Sequence, residues 1–165
     1  QQRRREKMIC RILLLIILNS CLCAATFVVN VTQSSYQAEE NHSITLEWTF
    51  TTTPDGSLRF LIILCELITD HRELMLYKFL GGVEKSEDLD EQFSGRVQSD
   101  KDVLREGRIR LHVSRLRTED SGEYVCHVNS DDGSGSRSAS CRLNVSEAKN
   151  RPEPPNSGST TSRPG

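Results

Sequence analysis

The sequence has no apolar run of the roughly 18 residues that a membrane-spanning helix needs. Its apolar run at residues 12–18 ends at Asn19. Five basic residues precede this run and the small-residue stretch 21–25 follows it, which is the order of a cleaved secretory signal. We therefore predict that residues 1–25 are a signal peptide, with cleavage within its last three positions and most favourably after Ala25. A membrane anchor is the weaker alternative.

The chain also lacks an excess of positive charge. It carries 21 basic and 23 acidic residues, and removal of residues 1–25 leaves 16 basic and 22 acidic residues, a net charge of −6. No basic stripe is visible along the sequence. Because an acidic domain is not steered towards nucleic acid or an anionic membrane surface, we exclude nucleic acid as a partner.

Motifs for catalysis are missing as well. The sequence holds no Gly-rich phosphate-binding loop and no convincing carboxylate pair, and its four histidines are scattered along the chain. Cys126 and His127 are neighbours on one predicted strand, so their side chains point to opposite faces and cannot act together. We predict that the protein is not an enzyme and needs no metal or cofactor.

Cysteine is scarce beyond the predicted signal. Three of the six cysteines lie within the signal, which leaves Cys65, Cys126 and Cys141. An exported chain meets an oxidising compartment in which close cysteines pair, and an odd number leaves one free thiol or an intermolecular bridge. Three N-glycosylation sequons agree with export, and we predict glycans at Asn30, Asn41 and Asn144.

The C-terminal residues 148–165 are rich in Pro, Ser, Thr and Gly and show no apolar periodicity. Such a segment cannot bury enough apolar surface to offset its ordering entropy, so we predict a disordered stalk. We expect the protein either to be secreted or to continue beyond Gly165 into a membrane anchor. Both alternatives place the domain outside the cell.

Between residues 26 and 147 apolar and polar residues alternate with a period of two. The run "HSITLEWTF" places Ile44, Leu46, Trp48 and Phe50 on one face, and "RIRLHVSRL" repeats the pattern. This alternation is typical of half-buried strands in antiparallel sheets. Turn signals separate the runs, and no helix of three turns is visible. The sequence therefore predicts an all-β sandwich or barrel.

The segment "RTEDSGEYVCHV" carries the most specific pattern. Its Asp120-x-Gly-x-Tyr124-x-Cys126 spacing resembles the start of strand F in immunoglobulin domains. "QFSGRV" (92–97) resembles strand D, and "LMLYKF" resembles strand C′, which only variable-type domains carry. The resemblance implies an immunoglobulin-like V-type β-sandwich over residues 26–147. It also implies that Arg96 pairs with Asp120 and that Tyr124 bonds back to the backbone at the E–F corner.

The sequence departs from this family at the cysteines. The strand-B cysteine position holds Trp48, and strand C carries Cys65 in place of the usual buried tryptophan. Because strand C lies beside strand F in the family's sheet, the resemblance ranks Cys65–Cys126 first, Cys126–Cys141 second and Cys65–Cys141 third. Three reduced, buried cysteines are the remaining alternative.

Within the variable-type families, the phrase "DEQFSGRVQSDKDVLREGRIRLHVSRLRTEDSGEYVC" resembles fish members of the butyrophilin and T-lymphocyte-activation-antigen group. This resemblance implies an extracellular protein that modulates T-cell activation by binding a protein receptor on immune cells, and it leaves a dimer open. The alternative is an innate-recognition or adhesion module, similar to polymeric-immunoglobulin-receptor-like proteins, with no costimulatory role. A rearranged antigen receptor is disfavoured because Phe-Gly-x-Gly is missing from strand G.

The resemblance also implies a binding surface, since these families commonly use the sheet formed by strands G, F, C and C′. We expect its outward polar residues to be Glu66, Lys78, His127 and Arg142, with Leu64 and Val125 beside them. The direction of Leu76 is left open.

Overall fold

The computed structural model of the chain describes residues 1–20, 26–53, 55–130 and 135–149. The predicted cleavage position and nearly all of the predicted stalk lie outside these residues. A helix, α1 (Gln2–Ser20), precedes the domain. No helix among the described residues is long and apolar enough to cross a membrane.

The described residues of the domain form two packed β-sheets. The strands are β1 (Val29–Val31), β2 (Ser35–Glu39), β3 (Ile44–Phe50), β4 (Leu61–Ile68), β5 (Glu73–Leu80), β6 (Val83–Glu84), β7 (Val97–Ser99), β8 (Arg108–Val113), β9 (Gly122–Ser130) and β10 (Gly135–Ser146). One sheet has the order β1-β3-β8-β7 and the other the order β2-β10-β9-β4-β5-β6. Only β2 and β10 pair in parallel within this part of the chain. This architecture confirms the predicted all-β sandwich.

The core forms where the apolar faces of the two sheets meet. On β3, Leu46 and Trp48 are fully buried, and they lie opposite Leu111 and Ile109 of β8 in the same sheet. Alternation with a period of two produces this arrangement because successive side chains of a strand point to opposite faces. Each such aliphatic side chain contributes about 1.5–3 kcal/mol when it leaves water, so the pattern read in the sequence accounts for the core of this sheet.

Strand β7 (Val97–Ser99), which corresponds to the strand D of the sequence analysis, begins later than the sequence predicts. Residues Glu91–Phe93 form a short 3-10 helix, capped by the Asp90 side chain, which accepts a hydrogen bond from the Gln92 amide. Gly95 then turns the chain with a φ of 67°, a left-handed conformation that favours glycine. The strand itself starts at Val97. The prediction of a strand over residues 92–97 was therefore wrong for all but its last position.

The register of β5 against β4 contains a bulge. Cys65 lies opposite Tyr77, but the next residue, Glu66, lies opposite Met75, so Leu76 has no partner on β4. A bulge allows two successive residues to point the same way, and both Leu76 and Tyr77 are about 1% exposed. Leu76 therefore belongs to the core, which resolves the direction that the sequence left open.

Candidate functional site

The centre of the six-stranded sheet is held by a disulfide between Cys65 and Cys126. The two residues lie directly opposite each other on β4 and β9, with Cα atoms 4.1 Å apart. This is the pairing that the resemblance ranks first. It joins residues 61 positions apart, and in the chain-entropy model a loop of that length constrains the unfolded chain by about 4 kcal/mol.

The third cysteine of the domain, Cys141, is a free thiol buried in β10. Burial raises the pKa of Cys141 to about 12, and the charge of Glu123 adds to the effect. Because the thiolate is the reactive form, this cysteine behaves as a small apolar core residue at neutral pH.

Trp48 occupies the interior between the two sheets. It extends from β3 in the four-stranded sheet, and its indole Nε1 donates a hydrogen bond of 3.0 Å to the carbonyl oxygen of Ala139 on β10. Its side chain is fully buried, so the indole needs such a partner for its N–H group. A packed ring and a hydrogen bond therefore connect the sheets at the position where the family usually has the strand-B cysteine.

A buried ion pair fixes the loop before β9. The Arg96 guanidinium contacts both carboxylate oxygens of Asp120, and its Nη1 lies 3.2 Å from Oδ1. Arg96 also donates hydrogen bonds to the carbonyl oxygens of Gln92, Ser114 and Arg115. A buried charge is tolerated only when it is paired and hydrogen-bonded, and these contacts meet that requirement for Arg96.

Tyr124 stabilises the same loop before β9. Its hydroxyl donates a hydrogen bond of 2.7 Å to the carbonyl oxygen of Asp120, and the Asp120 carboxylate in turn accepts one from the Arg117 amide at 2.8 Å. Burial, together with the nearby Asp120 charge, raises the pKa of Tyr124. The hydroxyl therefore stays protonated and keeps donating at physiological pH.

Three of the four expected polar face residues lie together on the outward side of the six-stranded sheet. Leu64 lies between Lys78 and His127 in the register of β5, β4 and β9. The Nε2 atom of His127 lies 3.1 Å from Oε1 of Glu66, and the two side chains are 47% and 22% exposed. Lys78 forms an ion pair with Asp88. The three residues and Leu64 thus form one continuous surface.

Arg142 is separate from this group. His127 lies opposite Ser138 on β10, and Arg142 is four residues further along that strand, a distance of about 13 Å at the usual rise of a strand. In register, Arg142 lies opposite Glu123 on β9 and Ser35 on β2. The four expected residues therefore share a face of the sheet without forming one cluster.

The structure adds an apolar surface that the sequence did not predict. Ile62 lies opposite Leu80, and Leu80 lies opposite Val83. Phe60, just before β4, is 48% exposed and Val83 is 54% exposed. We call this surface the apolar ridge, and its members are Phe60, Ile62, Leu64, Leu80 and Val83. In the sequence, the available signal was the apolar residues 60, 62 and 64, which share one face of the predicted strand. The register of the hairpin was needed to bring Leu80 and Val83 beside them.

Nothing in the described residues favours a catalytic or metal centre. No group of three His, Cys, Asp or Glu side chains in this part of the chain is arranged to hold a metal ion. His112 belongs to the other sheet, where its Nδ1 lies 3.1 Å from the hydroxyl of Thr45. His127 contacts Glu66, as described above. These neighbours are those of ordinary surface histidines on strands.

The three sequons lie in different parts of the domain. Asn30 is exposed on β1 of the four-stranded sheet. Asn41 is exposed in the turn between β2 and β3, where its φ is 65°. Asn144 is exposed on β10 and lies on the outward side of the six-stranded sheet. Each asparagine is therefore accessible in the folded domain, and glycosylation of the three remains a prediction.

Comparison with known proteins defines the class. The family model "Immunoglobulin V-set domain" matches residues 31–146, and the chain belongs to this family. A curated relative, programmed cell death 1 ligand 1 of the mouse, is 24% identical over 109 residues, which are 66% of this chain and 36% of the relative. The chain thus spans about a third of that relative's length.

Two solved structures are similar to the domain. The IgV-like domain of human B7-H4 has a TM-score of 0.62 at 19% identity, and the match covers 74% of this chain and 99% of that domain. Bovine butyrophilin has a TM-score of 0.61 at 19% identity, with 75% of this chain and 56% of butyrophilin covered. The matched proteins come from the B7 and butyrophilin group that the sequence resembles, and the V-set prediction is confirmed.

Proposed function

We propose that the chain is an extracellular binding protein that modulates T-cell activation by engaging a protein receptor on immune cells. The V-set fold supports a binding role, and the mouse relative is by name a ligand. The predicted signal at residues 1–25 and the three sequons support export, and a disulfide is expected in an oxidising compartment. Anchoring beyond Gly165 and dimer formation remain predictions.

The observation that carries the proposal is the apolar ridge beside the Glu66–His127 pair. Contiguous exposed apolar patches rimmed by polar residues mark interaction sites. About half of Phe60 and of Val83 is open to solvent. Burial of such side chains supplies affinity, while charged groups such as Lys78 at the rim orient the partner. The ridge therefore has the composition of an interface centre.

A tetramer of the secreted domain, used to stain resting and activated T cells, tests the proposal. Two variants carry changes on the proposed face: Phe60→Ser with Val83→Ser, and Glu66→Ala with His127→Ala and Arg142→Ala. The matched control is Thr45→Ala with His112→Ala on the outward side of the four-stranded sheet. We expect both face variants to lose staining and the control to keep it. Unchanged staining by the two face variants would remove this face from consideration.

The innate-recognition alternative has one observation against it. Polymeric-immunoglobulin-receptor-like proteins, which the sequence also resembles, use additional cysteine pairs. In this chain Cys141 is a free buried thiol, and the described residues hold a single disulfide. The two functions differ in their readout on cells. A T-cell ligand changes cytokine release when presented together with receptor stimulation, and an adhesion module binds cells without changing it.

A further inference from the structure

We propose that an N-linked glycan on Asn144 covers the end of the six-stranded sheet that carries Arg142. The glycan confines protein contact on this face to the apolar ridge and the Glu66–His127 pair. The restriction of protein contact rests on the proposed function, whereas the presence of the glycan and its shielding of Arg142 do not.

The position of Asn144 suits modification. The sequon Asn144-Val145-Ser146 lies at the end of β10, where Val145 points into the core and Asn144 points outward and is exposed. Asn144 lies opposite Gln37 of β2, and its Nδ2 donates a hydrogen bond of 3.0 Å to Oε1 of that residue. The neighbouring strand therefore orients the amide that would carry the sugar.

The chemistry preserves this orientation. The donor is an oligosaccharide carried on a lipid diphosphate. The Nδ2 atom attacks the anomeric carbon C1 of its first sugar, the N–C1 bond forms, and the C1–O bond to the diphosphate breaks. The lipid diphosphate leaves with the electron pair, and one Nδ2 proton passes to a base. Since one N–H remains on Nδ2, Asn144 can still donate to Gln37 after modification.

The first sugars have a place to lie beside Asn144. A recess of about 550 Å³ opens at the ends of β4, β9 and β10. Asn144 forms part of its wall, together with Gln37, Ile68, Asp70, Glu123 and Arg142. Carboxylate, amide and guanidinium groups supply both donors and acceptors, which suits sugar hydroxyls, and Ile68 offers an apolar surface for a sugar ring.

The glycan would cover one end of the face and leave the other open. Arg142 is two residues from Asn144 on the same side of β10, about 7 Å away at the usual rise of a strand. Most of the ridge lies towards the opposite end of β4, where Ile62 is six residues, or about 20 Å, and Leu64 four residues, or about 13 Å, from Ile68 of the recess. Of the three sequons, all within the described residues, only Asn144 projects from this face.

Arginine-selective footprinting tests the cover without any receptor. The full chain, secreted from animal cells, is treated with p-hydroxyphenylglyoxal, and its peptides are analysed by mass spectrometry. We expect an occupied Asn144 and several-fold less labelling of Arg142 than in the Asn144→Gln variant. Arg137 is exposed towards the other end of the same strand and should be labelled equally in both proteins.

Two further variants separate the glycan from the side chain. Ser146→Ala removes the sequon but keeps Asn144 and its contact with Gln37, and it should expose Arg142 as Asn144→Gln does. Asn30→Gln removes a sequon on the other sheet and should leave Arg142 protected. An unmodified Asn144, or equal Arg142 labelling with and without the sequon, overturns the proposal.

The restriction of protein contact is measured on cells. The Asn144→Gln tetramer should stain T cells at least as strongly as the unchanged protein, because the partner does not touch the sugar. Weaker staining would show that the glycan is part of the contact and would overturn the restriction. If no tetramer stains any immune cell, the proposed function fails, while the footprinting result still decides the glycan and its cover.

Discussion

The indole Nε1 of Trp48 on β3 donates a hydrogen bond of 3.0 Å to the carbonyl oxygen of Ala139 on β10. This contact crosses from one sheet to the other. The disulfide, in contrast, joins two neighbouring strands of a single sheet, β4 and β9. Connection between the sheets of this domain therefore depends on packing and on side-chain hydrogen bonds such as this one, and the disulfide strengthens the sheet that carries the proposed binding face.

The first prediction concerns Trp48. Replacement by Phe removes the donor to Ala139 and leaves a cavity, so we expect the free energy of unfolding to fall by about 2–4 kcal/mol. Urea denaturation followed by far-ultraviolet circular dichroism measures this change. Leu80→Ala, at a partly exposed position of the ridge, is the control and should cost less. Equal losses for the two variants would contradict the role of Trp48.

The second prediction concerns the disulfide. The double variant Cys65→Ala with Cys126→Ala should lower the free energy of unfolding by about 4 kcal/mol, because the unfolded chain regains the freedom of a long loop. Denaturation of the oxidised protein and of this variant gives the difference. A loss near zero would show that the pairing contributes little beyond ordinary packing of the two cysteines.

The third prediction concerns the free thiol. Burial raises the pKa of Cys141 to about 12, so between pH 7 and 9 its thiolate is scarce and the sulfur is inaccessible. Iodoacetamide should not label Cys141 in the folded protein at these pH values and should label it fully in denaturant. Peptide mapping assigns the label to Cys141. Rapid labelling of native Cys141 at pH 8 would refute its buried position.

The fourth prediction concerns the buried ion pair. Asp120→Ala leaves the Arg96 charge without its carboxylate in the interior, and we expect a loss of about 3–5 kcal/mol in the free energy of unfolding. The control is Glu106→Ala, which breaks the exposed pair with Arg108 and should cost far less, because solvent screens an exposed ion pair. Thermal unfolding of both variants makes the comparison, and similar melting temperatures would contradict the structural role of Asp120.

Local patterns of the sequence predicted much of the fold because they depend on neighbours in the chain. The alternation around Trp48 places its side chain inside because a strand has a period of two. The spacing of Asp120, Tyr124 and Cys126 spans a single corner and strand, so the hydrogen bond from Tyr124 to Asp120 could be expected from the resemblance alone. The polar residues Glu66 and His127 were placed on the outward face for the same reason.

Features that depend on the pairing register of the strands could not be predicted from local sequence patterns. The direction of Leu76 follows from a bulge against β4, and the late start of strand D follows from a capped 3-10 helix and the turn at Gly95. The ridge exists because a hairpin brings Leu80 and Val83 beside Ile62. Each of these depends on pairing between segments that the sequence does not align by itself.

The sequence by itself determined an all-β sandwich or barrel, since a period of two specifies half-buried strands, and the resemblance of its strand motifs to immunoglobulin domains implied the V type. It left three cysteine pairings open, because the partner of Cys126 depends on which strands are neighbours and in which register. The tertiary structure decided that question by placing Cys65 directly opposite Cys126. It also decided which outward residues form one surface, because distances between strands arise only when the sheet is assembled.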